Sequence, residues 1–159
     1  MGLDQYLYAT KMVAGQKRGE EPNTLVPNPA YDSIIQAIGG EELPEQEWFP
    51  HVTVSIKVAQ WRKSNQIHMF FVDSCQDGVD DCRSAYVSQD VLDDLLQRCN
   101  DVLNDHSKAE ELLPTTDGFF FGGSDYGDWY FSDLEYTKEV LEKLNALEGD
   151  WGFEYNSSW

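Results

Sequence analysis

His51-Val52-Thr53-Val54-Ser55-Ile56-Lys57-Val58 is the stretch whose reading decides the fold class. Val52, Val54, Ile56 and Val58 alternate with Thr53, Ser55 and Lys57, a period of two that belongs to a strand with one buried face. Just downstream the period changes. Ile67, Phe70, Phe71 and Ser74 share one face of a helix predicted from about Lys63 to Cys75. Toward the N-terminus, Leu3, Gln5, Leu7 and Ala9 alternate with Asp4, Tyr6, Tyr8 and Thr10, predicting a second strand. Toward the C-terminus, Trp151, Phe153 and Tyr155 alternate with Gly152 and Glu154, predicting a last strand that ends near Trp159. Ala85–Val87 and Phe119–Phe121 predict short strands, the second closed by a Gly122-Gly123 turn. Strands at both ends and in the middle, with about four helices between them, predict an α+β fold. Its form is a mostly antiparallel sheet with helices packed on it, in a single domain over residues 1–159.

The connecting segments follow from punctuation. Residues 14–30 hold Gly15, Gly19, Pro22, Pro27 and Pro29 and predict a flexible loop; 39–50 predict another. Between them, Tyr31 to Ile38 reads as a short helix stopped by Gly39-Gly40. Ser88 suits the N-cap of a helix running to about Asp105. On that helix Val91, Leu92, Leu95, Leu96, Cys99, Val102 and Leu103 fall within an arc of about 140°, and Asp90, Asp93, Asp94, Asp101 and Asp105 within an opposite arc of about 120°. Ser132 and Glu135 have capping-box spacing and predict a helix to about Leu147. It would bury Leu134, Val140, Leu141, Leu144 and Leu147 and present Glu135, Glu139 and Glu142 outward.

Charge narrows the function classes. The 159 residues carry 29 Asp+Glu against 11 Lys+Arg, a formal net charge of -18. Residues 1–72 hold 8 acids and 6 bases, whereas 73–159 hold 21 acids and 5 bases. Such a surface opposes direct nucleic-acid binding, which needs a positive face. It suits a partner with a basic surface. At 13% aromatic the chain is too rich in ring side chains for an acidic disordered segment. Cys75, Cys82 and Cys99 are odd in number and form no CxxC, which points to thiols in a reducing cytoplasm; a Cys75–Cys82 bridge is the alternative. No apolar run is long enough for a membrane span, and the opening MGLDQYLYATK lacks the features of a signal peptide. Met1-Gly2 is followed by Tyr6 where a myristoylation signal needs Ser or Thr.

Two surfaces qualify as candidate sites. The first is the pair of acidic stripes, Asp90, Asp93, Asp94, Asp101 and Asp105 with Glu135, Glu139 and Glu142. A solvated helix face would look the same, but like charges at Asp90/Asp94 and Asp101/Asp105 lie four residues apart and cost a few tenths of a kcal/mol per pair. The second is Trp61-Arg62-Lys63-Ser64-Asn65-Gln66-Ile67-His68. Arg62 and Lys63 sit at a predicted helix N-terminus, where cations oppose the helix dipole. Two cations, Ser64, Asn65 and His68 would suit a phosphate or carboxylate, with the Trp61 ring free to stack on a base or sugar. Pairing of Arg62 and Lys63 with acids elsewhere is the plain alternative. His51, His68 and His106 show no metal-site spacing, and Asp77, Asp80 and Asp81 lack the calcium-loop pattern. No P-loop, GxSxG, HExxH or GxGxxG occurs, so neither a cofactor nor a catalytic residue is assigned.

The opening MGLDQYLYATK, the central WRKSNQIHMFFV with QDGVDDC, and the block LLPTTDGFFFGGSDYGDWYFSDLEYT resemble a group of small accessory proteins of tailed bacteriophages. The resemblance covers most of the chain, least over 14–50, and brings no established activity. It implies a phage protein in the cytoplasm of an infected bacterium. In that setting the acidic stripes suggest an inhibitor that binds a host defence or nucleic-acid-handling protein as a DNA mimic. The Arg62/Lys63 segment suggests a sponge for a phosphate-bearing nucleotide signal, of a kind often completed by a homodimer. A small enzyme of unassigned reaction ranks third.

Overall fold

In the computed structural model, residues 2–44 and 48–159 are described; Glu45–Glu47 of the expected 39–50 loop lie outside them. The strands are β1 (Asp4–Ala14), β2 (Gln16–Arg18), β3 (Leu25–Pro27), β4 (His51–Arg62), β5 (Ala85–Val87) and β6 (Gly152–Ser158). The helices are α1 (Pro29–Ala37), α2 (Asn65–Cys75), α3 (Gln89–Asn104), α4 (Ala109–Leu112) and α5 (Asp128–Asn145). A four-stranded antiparallel sheet has the order β4-β1-β6-β5, and β2 pairs with β3 in a separate hairpin. The fold is α+β, as the sequence predicts. By internal packing the chain divides into two units, Met1–Ala9 with Ile56–Trp159, and Thr10–Ser55.

The larger unit owes its core to two matched faces. Leu7 and Ala9 of β1, Ala59 and Trp61 of β4, Val87 of β5, and Phe153 and Tyr155 of β6 supply the sheet side. Ile67, Phe70 and Phe71 of α2, Leu92, Leu95, Cys99 and Val102 of α3, and Leu134, Leu141 and Leu144 of α5 supply the helical side. Each fully buried aliphatic side chain contributes roughly 1.5–3 kcal/mol. The β5–β6 register, Ala85↔Tyr155 and Val87↔Phe153, puts Val87 and Phe153 opposite each other. Ser88 caps α3, its hydroxyl accepting from the Val91 N–H. Burial pushes the Cys99 thiol up to about 12, and the three cysteines are free thiols.

The smaller unit is organised by its backbone. The Asn28 side chain accepts from the Ala30 N–H to cap α1, and it donates to the Ala14 carbonyl. Its backbone N–H bonds to the Gly15 carbonyl, and the Gly15 N–H to Pro50. Tyr31 is buried within this unit. Residues 14–30, expected as a loop, carry the β2–β3 hairpin, with Lys17 paired to Val26.

Four local expectations change. First, β4 runs on through Arg62, so α2 starts at Asn65 rather than Lys63. Along β4 the half-buried even positions Val52 and Val54 give way to the buried odd positions Ala59 and Trp61, and Ile56, on the predicted inward face, is exposed. Second, Phe119–Phe121 is a turn and not a strand. Gly122 sits at φ +89, and the Phe120 and Phe121 carbonyls accept from the Leu3 N–H and the Asn65 side chain instead of a neighbouring strand. Third, α5 starts at Asp128, so Ser132 lies inside it and no capping box forms. Tyr130 explains the earlier start: it is buried and its hydroxyl donates to the Leu113 carbonyl. Fourth, Leu147 lies beyond the end of α5 and is exposed rather than buried.

Candidate functional site

Lys63 is the pivot of the site. It stands between the end of β4 and the start of α2 at φ +60, a left-handed conformation uncommon outside glycine. Its N–H donates to the Leu3 carbonyl at 2.8 Å, which fixes the turn. Its stem lies against two glycines. A Cβ on Gly2 would come within 3.0 Å of Lys63 Cε, and one on Gly122 within 3.0 Å of Lys63 Cβ. The strained backbone and the packed stem together fix Lys63 in the wall that it shares with Arg62.

Asn65 anchors the loop that forms the opposite wall. Its amide nitrogen donates to the carbonyls of Phe121 (3.2 Å) and Gly123 (2.9 Å), and its oxygen accepts from the Thr116 N–H (2.8 Å). One buried side chain thereby ties both arms of the 116–123 loop to α2. Between these walls lies a pocket of about 260 Å³. Arg62, Lys63 and Gln66 line one side; Gly122, Gly123 and Asp125 line the loop; Trp129, Tyr130 and Asp133 come from the first turns of α5, with Thr115 completing the ring. Trp129 is 88% exposed, so its ring stands at the rim.

The electrostatics are mixed but unpaired. Among the described residues no ion pair joins Arg62 or Lys63 to Asp125 or Asp133; Arg62 has only Asp4, at 3.9 Å. Burial raises the Asp133 pKa, and the nearby Ser64 hydroxyl and Gln66 amide pull it part of the way back. Neither Ser64 Oγ nor Gln66 Nε2 completes hydrogen-bond geometry with a described residue, although both are buried. Gly127, the N-cap of α5, offers no side-chain acceptor, which leaves the positive end of the helix dipole beside the pocket.

The structure separates the residues that the sequence groups together. Arg62 and Lys63 line the pocket, and Ser64 faces Asp133 from beneath it. Trp61, Asn65 and His68 are buried in other duties. The Trp61 indole donates to Thr137 Oγ1 at 2.9 Å. His68 Nδ1 meets the Tyr155 hydroxyl at 2.8 Å and Nε2 meets Asp80 at 3.0 Å, and Asp80 also accepts from the Trp159 indole at 3.1 Å. With a carboxylate on Nε2, that nitrogen donates to Asp80. Sequence reasoning missed Thr115, Asp125, Trp129, Tyr130 and Asp133, and it gave Gln66, within the candidate stretch, no role. The clue was the density of glycine and aromatic residues over 118–131, read only as a turn and a strand.

The acidic stripes lie on α3 and α5, which pack against each other. Asp93 accepts from Gln89 on its own helix and from Asn145 at the end of α5. Much of the stripe is engaged locally. Asp94 pairs with Arg98, Asp101 accepts from Gln97, Asp105 caps the following 3₁₀ turn at Ser107, Glu139 pairs with Lys143 and Glu142 with Lys138. His106 stacks on Phe131 with ring centroids 3.8 Å apart. Among the described residues, no His/Cys/Asp/Glu group could hold a metal ion, and no helix is long and apolar enough to cross a membrane. Compared with known proteins, the chain matches no protein family, no curated protein and no solved structure.

Proposed function

We propose that this protein binds a phosphate-bearing nucleotide in the Arg62/Lys63 pocket and acts as a sponge for it, as an accessory protein in the cytoplasm of a phage-infected bacterium. The observation that carries the reading is that two cations and an exposed indole line one pocket, and the cations are not paired with the carboxylates that share it. Arg62 and Lys63 would take the phosphate through charge-assisted hydrogen bonds. Trp129 would stack on the base, a contact worth about 1–3 kcal/mol. Asp125 and Asp133 would accept from ribose hydroxyls or an exocyclic amine. Gly122 and Gly123 bring no side chain into the path of the ligand.

A second reading rests on a separate observation. The acidic faces of α3 and α5 adjoin through Asp93 and Asn145, which favours a docking surface for a basic host protein. Ion pairs at Asp94, Glu139 and Glu142 and hydrogen bonds at Asp93, Asp101 and Asp105 engage most of these carboxylates locally, which leaves it behind the pocket reading. Native mass spectrometry with host lysate and with a nucleotide extract separates the two. A nucleotide-sized mass gain, lost in Arg62→Ala/Lys63→Ala and kept when Asp90, Asp94, Asp101 and Asp105 become Lys, supports the sponge. A retained host protein with the opposite mutational pattern supports the docking surface.

A further inference from the structure

A second cavity, of about 330 Å³, adjoins the first. Gln66 lines both. The wall also continues: Leu113 and Pro114 line the second cavity and Thr115 the first. Along α2, Gln66, Met69, Phe70 and Asp73 succeed each other on one helix face, a run of about 10 Å at 1.5 Å per residue. Small-molecule sites usually span about 300–1,000 Å³. Taken singly, the two cavities straddle the lower limit of that range; as one groove they fall well inside it. Gln66 is 4% exposed and stands at the junction, its amide close to the Asp133 carboxylate.

The two ends differ in charge. The first holds Arg62 and Lys63 beside Asp125 and Asp133, and among the described residues no ion pair joins the cations to those two carboxylates. In the second, Arg98 is already occupied: it pairs with Asp94 at 3.0 Å, donates to the Leu112 carbonyl at 3.0 Å and lies over the Phe70 ring. What remains there is Asp73, Ser74 and Glu111 above an apolar floor of Met69 and Pro114. This end repels phosphate and accepts hydrogen bonds from hydroxyl or amino groups.

We propose that the two cavities are one groove, and that its ligand carries one phosphate and two nucleoside units, as a dinucleoside monophosphate does. The proposal rests on the nucleotide-binding reading above. The phosphate lies at Arg62 and Lys63, one base stacks on Trp129, and the second nucleoside occupies the cavity beside Asp73 and Glu111. Isothermal titration of the full chain tests this. Nucleoside monophosphates are titrated first, then the dinucleoside monophosphate of the best base and the corresponding cyclic dinucleotide with two phosphates. The dinucleoside monophosphate is expected to bind roughly ten-fold tighter than the mononucleotide, and tighter than the cyclic dinucleotide. Met69→Trp or Ser74→Trp, each filling the second cavity from a helix surface, should erase that gain and leave mononucleotide affinity unchanged. Equal affinities for the two linear ligands, a gain that survives both Trp variants, or tighter binding of the cyclic dinucleotide would overturn the groove while the mononucleotide site stands. Absence of binding by every nucleotide would overturn both readings.

Discussion

Gly122 is the residue on which the pocket loop turns, and two constraints coincide there. Its φ of +89 lies in the region that L side chains rarely adopt, and a Cβ would press on the backbone oxygen of Lys63 at 3.2 Å. Gly122→Ala should therefore cost about 1–3 kcal/mol in urea unfolding and weaken ligand binding by displacing Lys63. An alanine variant as stable as the parent would show that the loop relaxes freely. Asp133 makes a pH-dependent prediction. Its folded pKa is raised by burial, so the folded state holds its proton above the pH at which the unfolded chain releases it. Stability from this group is present at low pH and is lost as pH rises through the folded pKa. Asp133→Asn should thus gain stability relative to the parent between about pH 4 and neutrality. Parallel stability curves for the two proteins over that range would contradict the assignment.

At the level of elements, helix ends offer a sharp comparison. Ser88 and Ser132 both precede helical patterns in the sequence, but only Ser88 caps a helix. Ser88→Ala should cost about 1 kcal/mol, whereas Ser132→Ala, within α5 and exposed, should change stability by less than about 0.5 kcal/mol. Equal losses in thermal or urea unfolding would restore the capping box at Ser132. The contrast also explains what was readable. The patterns of β1 up to Ala9, of α3 and of β6 are periodic, because each buries one face against the core. The start of α5 was not readable, because burial of Tyr130 and its bond to Leu113 override the local capping signal. The 116–123 loop was not readable either. Its carbonyls find the Asn65 side chain some fifty residues earlier, a partner that local patterning does not reveal.

Across the larger unit, the candidate site is assembled from the β4–α2 junction, the 115–125 loop and the start of α5. The sequence exposed only the first of these, through two adjacent cations in an acidic chain. Their significance comes from what the structure sets around them: an indole at the rim, two glycines at the wall, and carboxylates in the same pocket that form no ion pair with them. Trp61 and His68, which resemble ligand contacts in sequence, instead hold the framework together through Thr137, Tyr155 and Asp80. The net charge of -18 adds a condition, since it opposes long polyanions and leaves small nucleotides, with few charges, as the compatible ligands. The most direct measurement is isothermal titration of the protein and of Arg62→Ala/Lys63→Ala with the common nucleoside monophosphates. The account predicts binding of at least one by the parent, weakened roughly ten-fold or more in the double variant, whose fold is retained by circular dichroism. Failure of the parent to bind any nucleotide, or equal affinity in the double variant, would contradict it.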